Sequence, residues 1–385
     1  MSGPLRVALV GAGIIGKAHA RIAVAHPRLA LVAIVNRTVH KGEELAAIVE
    51  TELEGDRPAV FSTLRKALVV ADIDIVVVAT PSGSHAKIAE EALAAGKHVV
   101  IEKPIDVHLE RARRISELAE HARHRGRTVS VISQNRFAPP VVAVKRAIDS
   151  GRFGRVTSAT ATLAWWRDQE YYDSASWRGT WEFDGGGALM NQGVHTVDLL
   201  LHFLGTPVEV FGYTGMLAHE RVEVEDVAAA VIRFESGAMA TLLATTNAFP
   251  ANATRIQVHG TAGTAFLQDG RLEFFHADDA HPAGEPRGLS GLGNQAASEV
   301  GQADLPGAPV ESDLFPGLLR QYEDVIEAIR TGREPGVTVA QATAALALVR
   351  SVYVSQAVGS PVRFADVMEG SYDELSVATG ARTSG

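Results

Sequence analysis

The stretch LRVALVGAGIIGKAHA occupies residues 5–20. Its opening, LRVALV, is a short and mostly apolar run, of the length expected for a strand buried on both faces. Glycines follow at 11, 13 and 16. The chain then continues into an alanine-rich segment, residues 17–27, that reads as a helix closed by Pro27. Behind a strand and ahead of a helix, the three glycines have separate physical roles. Gly11 permits a tight turn, Gly13 lets the backbone approach a pyrophosphate, and Gly16 lets the helix pack closely on the strand. The helix start, with Ile14 and Ile15, offers N–H groups and the positive end of a dipole to phosphates. We read residues 5–16 as a dinucleotide-binding turn. A glycine-rich turn without a ligand is the competing reading.

The same rhythm extends outward. Strands are expected at residues 29–35, 73–82, 97–104 and 127–133, and helices at 39–54, 84–96 and 108–126. Strand and helix in alternation imply right-handed crossovers and an α/β Rossmann domain with a doubly wound parallel sheet. After Arg136 the pattern changes. A helix is expected over 139–151 and a long alternating strand over 155–166. The segments VEVFGYTGML, DVAAAVIRFES, AMATLLATTN, TRIQVHGT and GTAFLQD then read as consecutive strands. This predicts an α+β domain with a mostly antiparallel sheet. The expected division is residues 1–134 for cofactor binding and 135–385 for substrate binding and oligomerisation. Residues 276–312 read as a long loop, with helices near 315–331 and 338–358 and a loose tail behind them.

Bulk properties exclude several classes. The 385 residues carry a formal charge of −9, which argues against neutralising nucleic-acid phosphates. There are no cysteines, so disulfides, thiolate catalysis and Cys-containing zinc sites are absent. No apolar run approaches the roughly 20 residues of a membrane span, and the N-terminus runs into the glycine turn instead of a cleavage site. We expect a cytoplasmic protein with no nucleic-acid or membrane partner. His121 and His124 lie on an arginine-rich helix and read as a solvated face, so no metal site is expected. No tyrosine has a lysine four residues later, which removes the short-chain dehydrogenase mechanism.

The cofactor type turns on the end of the second strand, where Asn36, Arg37 and Thr38 stand. NAD enzymes usually place a carboxylate there for the ribose 2′-hydroxyl. None is present to repel a 2′-phosphate, and Arg37 is suited to pair with one. The balance favours NADP. Asn36 can also bond a plain ribose hydroxyl, so NAD(P) stays open, and a solvated loop arginine competes for Arg37. IEKPID, residues 101–106, puts Lys103 between Glu102 and Pro104 at the carboxyl edge of a parallel strand, where ligands of open α/β sheets bind. Pro104 is a candidate for a cis bond. NQGVHTVDLL, residues 191–200, spaces Asn191 and His195 by i, i+4, on one face if the segment is helical. An imidazole suits a general base near neutral pH.

Five motifs in order carry a resemblance: GAGIIG, TPSGSH (80–85), EKP (102–104), SQNRFAP (133–139) and GGGALMNQGVHTVDLLLHFLG (185–205). Over nearly its whole length the chain resembles the Gfo/Idh/MocA family. The resemblance implies NAD(P)-linked hydride transfer at a hydroxyl-bearing carbon, usually of a sugar, anhydrosugar or cyclitol. It makes Lys103 catalytic and His195 the base that takes the hydroxyl proton. Inositol dehydrogenases carry an Asp where this chain has Asn191, which weakens the base role and shifts weight to Lys103. A core histidine bonded to backbone is the competing reading of His195, and Asp198 is expected to hold a structural hydrogen bond. Thr80, Pro81, Ser82 and His85 are expected beside the nicotinamide, with Glu102 and Asn135 also at the cofactor; Asn135 and Arg136 are suited to either ligand, and Glu102 reads alternatively as a partner that positions Lys103 or as a strand-end charge. Trp165, Arg167, Tyr172, Trp177 and Arg178 supply rings and donors suited to sugars, and packing at the interdomain wall is the competing reading of each. Two other functions stand beside this one: an NAD-dependent glycosidase acting by transient oxidation and elimination, and a non-catalytic sugar or nucleotide sensor. An antiparallel sheet with one helix-free face points to a homodimer or homotetramer.

Overall fold

The computed structural model describes residues 3–175, 178–278, 293–307 and 315–377. The chain divides into two compact units. The first is Met1–Gln134 with Asp313–Leu346, and the second is Asn135–Ser312 with Ala347–Gly385.

The first unit opens with β1 (Leu5–Val10), α1 (Ile14–Ala25), β2 (Leu29–Val35), α2 (Val39–Thr51), β3 (Ala59–Phe61) and α3 (Leu64–Val70). It continues with β4 (Ile75–Val78), α4 (His85–Ala94), β5 (His98–Ile101), α5 (Leu109–Arg123) and β6 (Val129–Val131). All six strands run parallel in the order β3-β2-β1-β4-β5-β6. β4 and β5 are buried along their whole length, as strands covered on both faces must be. The strand order reverses between β1 and β4, the topological switch point at which such sheets bind ligands. β5 stops at Ile101, short of the strand expected over 97–104. Pro104 has no N–H to offer a ladder. β3 and α3 occupy a stretch for which no element was expected.

The helix Phe315–Thr331, called α10 below, differs most from expectation. It was expected with the second domain, yet residues 313–346 cluster with the first unit. The cause is its apolar stripe. Leu318, Tyr322, Val325 and Ile326 join the core formed by Leu5, Val7, Leu9 and Ile22. Each such side chain contributes about 1.5–3 kcal/mol by burial.

The second unit contains α6 (Pro139–Asp149), β7 (Val156–Ala164), α7 (Gln169–Asp173) and α8 (Val194–Leu204). β8 (Pro207–Gly215), β9 (Val227–Phe234), β10 (Met239–Thr245), β11 (Thr254–Gly260), β12 (Gly263–Gln268) and β13 (Arg271–Ala277) follow. α9 (Ala296–Glu299) lies inside the expected loop, most of which falls outside the described residues. After α10 come α11 (Val339–Val358), β14 (Val362–Arg363) and α12 (Phe364–Glu369). The sheet order is β13-β12-β11-β7-β10-β9-β8-β14. Every pairing is antiparallel except β7 with β10, so the sheet is mostly antiparallel as expected. β9 and β10 alternate buried and exposed residues with period two. On the outer face, Tyr213, Ala229 and Leu243 form one cross-strand row, and Phe211, Val231 and Thr241 the next. Tyr213, Val231, Met239 and Leu243 are exposed there. Among the described residues, no helix is long and apolar enough to cross a membrane.

Candidate active site

The three glycines can be tested by asking what a Cβ would meet. At Gly11, with φ +113°, it would lie 2.3 Å from the Ala79 carbonyl oxygen. At Gly16 it would lie 2.2 Å from the Gly11 carbonyl oxygen. Both positions therefore exist for close packing, one between β1 and β4 and one between α1 and the turn. At Gly13 it would meet nothing within 4 Å. Gly13 caps α1 without a side-chain hydrogen bond, and the first turn of that helix carries no acidic residue. Ile14, the first helical residue, is 86% exposed, and Ile15 is half-buried. A 12-residue helix thus offers its N–H groups beside an open, acid-free surface, which fits a dinucleotide pyrophosphate.

At the end of β2, Asn36 staples the turn. Its Oδ1 accepts from Ala12 N at 3.2 Å, and its Nδ2 donates to Thr38 O at 2.8 Å. Arg37 and Thr38 are exposed. At the end of β4, Thr80 and Ser82 are half-buried and Pro81 is exposed. The Ser84 hydroxyl ties this loop through Thr80 Oγ1 at 2.8 Å and Pro81 O at 2.7 Å. His85 does not match its expected cofactor contact. It is buried, its Nδ1 lies 2.9 Å from Pro104 O, and its Nε2 lies 2.8 Å from Thr80 O. Both carbonyls can only accept, so the nitrogen that carries a proton donates, and the ring spans the two loops at the carboxyl edge of the sheet and so shapes the rim.

Glu102 likewise turns inward. It is buried, and its Oε1 accepts from His19 Nε2 at 2.9 Å. Its Oε2 accepts from the Lys103 backbone N–H at 2.9 Å. His19 Nδ1 meets the Tyr322 hydroxyl at 2.8 Å. A carboxylate can only accept, so Nε2 carries the proton toward Glu102, and in the neutral ring Nδ1 accepts from Tyr322. Burial pushes the Glu102 carboxyl up, but the hydrogen bond from His19 and the nearby Lys103 charge outweigh it and hold it below its ordinary value. Burial and the Glu102 charge hold the Tyr322 phenol well above its usual range, so it keeps its donor proton. The chain Tyr322–His19–Glu102 ends on the backbone of Lys103. Lys103 itself is half-buried, and its bond to Pro104 is cis.

In the second unit, Asn191 and His195 do not sit on one regular α-helix. Ala188–Gln192 forms a π-helical turn, Gly193 follows it, and α8 starts at Val194. The i, i+4 argument for a shared face therefore does not apply, because a π-turn changes the angular step. Its geometry has a buried cause. Glu225 Oε2 accepts from Gly187 N at 2.7 Å and its Oε1 from Leu189 N at 2.9 Å, with the Tyr353 hydroxyl on Oε1 at 2.9 Å. Burial pushes this carboxyl up to about 7, against the pull of those three donors. Asn191 Nδ2 donates to Asp184 Oδ1 at 3.2 Å, and Asp184 Oδ2 accepts from Gly179 N at 2.7 Å. A carboxylate thus stands one hydrogen bond behind the amide. Asn135 is exposed, but Arg136 forms a buried fork with Asp198 at 2.7 and 2.6 Å. Arg136 is therefore held in a structural pair, as expected for Asp198.

The aromatic candidates separate. Tyr172 is buried and its hydroxyl meets Thr246 Oγ1 at 3.0 Å, with burial pushing the phenol up to about 12. This residue packs the unit and is not poised for a ligand. Trp165 is half-buried and donates from Nε1 to Thr254 Oγ1 at 3.0 Å. The Arg167 guanidinium carbon lies 5.3 Å from the Trp165 ring and 4.9 Å from the Tyr171 ring. Arg178 lies 4.4 Å over the same Tyr171 ring. Gln192 Nε2 reaches the Tyr171 hydroxyl at 3.4 Å, which links this cluster to the π-turn. His219 fixes the Arg167 backbone. Its Nε2 lies 2.8 Å from Arg167 O and its Nδ1 3.0 Å from Asp226. Trp177 lies outside the described residues.

His19, Tyr322, Asp184, Glu225, Tyr171 and Gln192 went unnoticed in the sequence. His19 alone left a trace there, as a polar residue on the buried stripe Gly16, Ala20, Ile22 and Ala23 of α1.

Comparison with known proteins is consistent across the chain. Residues 5–133 match the model of an oxidoreductase family with an NAD-binding Rossmann fold, and residues 141–266 match a GFO/IDH/MocA C-terminal domain. A WlbA dehydrogenase from Bordetella pertussis, solved with NADH and UDP-GlcNAcA, is 32% identical with a TM-score of 0.79, covering 94% of this chain and 98% of that one. Inositol 2-dehydrogenase of Rhizobium meliloti is 28% identical over 271 residues, 69% of this chain and 76% of the relative. Levoglucosan dehydrogenase of Pseudarthrobacter phenanthrenivorans is 27% identical over 330 residues, 78% of this chain and 83% of the relative.

Proposed function

This chain belongs to the Gfo/Idh/MocA family of NAD-binding oxidoreductases, and we propose that it is a dehydrogenase acting on a secondary alcohol or ketone of a sugar, anhydrosugar or cyclitol. The observation that carries this reading is Lys103, presented at the carboxyl edge of β5 with its backbone held by a buried carboxylate. The relatives named for inositol and levoglucosan, and the one solved with UDP-GlcNAcA, support a polyhydroxylated ring as substrate.

The Gly11–Gly16 turn and the start of α1 would hold the dinucleotide, with Asn36, Arg37 and Thr38 toward its ribose and Thr80, Pro81 and Ser82 toward the nicotinamide. When bound, it supplies the hydride acceptor or donor. Lys103 donates a hydrogen bond to the reacting oxygen and stabilises negative charge on it. His195 takes the hydroxyl proton as general base. Asn191 orients substrate or imidazole, and Asp184 supplies through it the negative charge that an amide lacks. No carboxylate closes the end of β2 against a 2′-phosphate, so NADP is accepted there, with Arg37 as its counter-charge. The apolar outer rows of the second unit's sheet support a homodimer or homotetramer.

Turnover is read from reduced-nicotinamide absorbance with a panel of cyclitols, anhydrosugars and sugars and both cofactors. Lys103→Met lowers kcat by about 10²–10³ while NADH titration, read by fluorescence, stays within a few-fold of wild type. Wild-type turnover in that variant removes the catalytic role. Arg37→Ala raises the KM for NADP and leaves that for NAD almost unchanged, and equal effects on both remove the phosphate contact. Light scattering gives a mass of two or four chains, and a single-chain mass refutes the assembly.

A further inference from the structure

We infer that the ring-shaped substrate carries a carboxylate, as in a uronic acid, and that Arg167 is the residue that recognises it. This rests on the dehydrogenase reading of the same site and narrows it.

The inference starts from an arginine with no ion pair to an acid among the described residues. Arg167 is half-buried, and its Nε is sealed from water with no hydrogen-bond partner. Its guanidinium carbon lies 5.3 Å from the Trp165 ring and 4.9 Å from the Tyr171 ring. The neighbouring carboxylate, Asp168, caps α7 and accepts from Tyr171 N at 2.8 Å. Arginine of this kind is normally paired with an acid. Aromatic faces attract a guanidinium but leave its in-plane N–H fork unused, and that fork matches a planar carboxylate.

A further feature agrees. Gln192 is 8% exposed, its Nε2 lies 3.4 Å from the Tyr171 hydroxyl, and its Oε1 is buried with no partner. A carbonyl in that state accepts from a ligand hydroxyl. Gln192 directly follows Asn191 on the π-turn, so the cluster stands beside the residue assigned to substrate. The backbone of Arg167 is fixed through His219 and Asp226, so the cation is held in place before any ligand arrives. A cation with a free fork beside an unsatisfied carbonyl matches a molecule bearing both an acid and hydroxyls.

The test is calorimetric and needs no turnover. NADH-saturated protein is titrated with D-glucuronate and D-galacturonate, with D-glucose and D-galactose, and with glucose 6-phosphate, at low and at high salt. Wild type is expected to bind at least one uronate about tenfold tighter than its neutral parent, a difference that Arg167→Gln erases and high salt narrows. Equal binding of acid and neutral sugars, no binding of either uronate, or a preference that survives in Arg167→Gln overturns the assignment. Tighter binding of glucose 6-phosphate than of both uronates overturns the carboxylate in favour of a phosphate. If Arg167→Gln fails to fold, the wild-type comparison of acid with neutral sugar decides alone. Absence of turnover on every sugar in the panel counts against the dehydrogenase reading, not against this preference.

Discussion

A carboxylate sealed from water lies directly behind the strand-end lysine, and most of the first unit's site depends on it. Moving an ion of this size into a protein interior costs several kcal/mol unless partners offset it. Glu102 has its offset from His19 on α1, from the Lys103 backbone N–H, and, one bond further, from Tyr322 on α10. The same α1 whose N-terminus is proposed to meet a pyrophosphate therefore also fixes the turn that carries the lysine. The proposed cofactor end and reacting end share one rigid element. A pair of this kind adds little net stability, and its value lies in specifying one geometry.

The second unit repeats the device with different residues. Glu225 and Asp226 are adjacent, buried, and face opposite tasks. Glu225 gathers the N–H groups of Gly187 and Leu189, which sets the π-turn ahead of His195. Asp226 gathers the N–H groups of Leu217, Ala218 and His219, and burial pushes its carboxyl up less than the donors around it pull it down. Through His219 it steadies the Arg167 backbone. In both units a buried acid spends its lone pairs on backbone N–H groups, and the side chains available for chemistry stand at the ends of the turns so formed. That division of labour explains why the candidates that proved buried, Tyr172, His85 and Glu102, hold loops in place.

The parallel sheet was legible because its signals are local. Gly11 and Gly16 carry steric requirements and Gly13 leaves the helix start open, all within six residues, and apolar runs alternate with helices beyond them. The antiparallel sheet was legible through period-two alternation. The misses share a cause, which is distance along the chain. Tyr322 and His19 are 303 residues apart, and nothing near either announces the other. The return of α10 to the first unit depends on which core its stripe meets, and a stripe does not name its partner. Asp184 and Glu225 each stand among other acids, Glu182 in one case and Glu223 and Asp226 in the other, and nothing local singles them out. The π-turn is set by Glu225, 36 residues from Leu189, so the local sequence read as ordinary helix.

The charge state of Glu102 is the most direct check on this account. Isotope-edited infrared or carbon NMR of that carboxyl in the intact chain, followed from acid to neutral pH, reads it without reference to activity. The account predicts an ionised group throughout the neutral range, protonating only below its ordinary value of 4.5, and shifting upward when His19 is replaced by leucine. A Glu102 that is neutral at pH 7 in the wild-type chain, or one that titrates identically with and without His19, contradicts it.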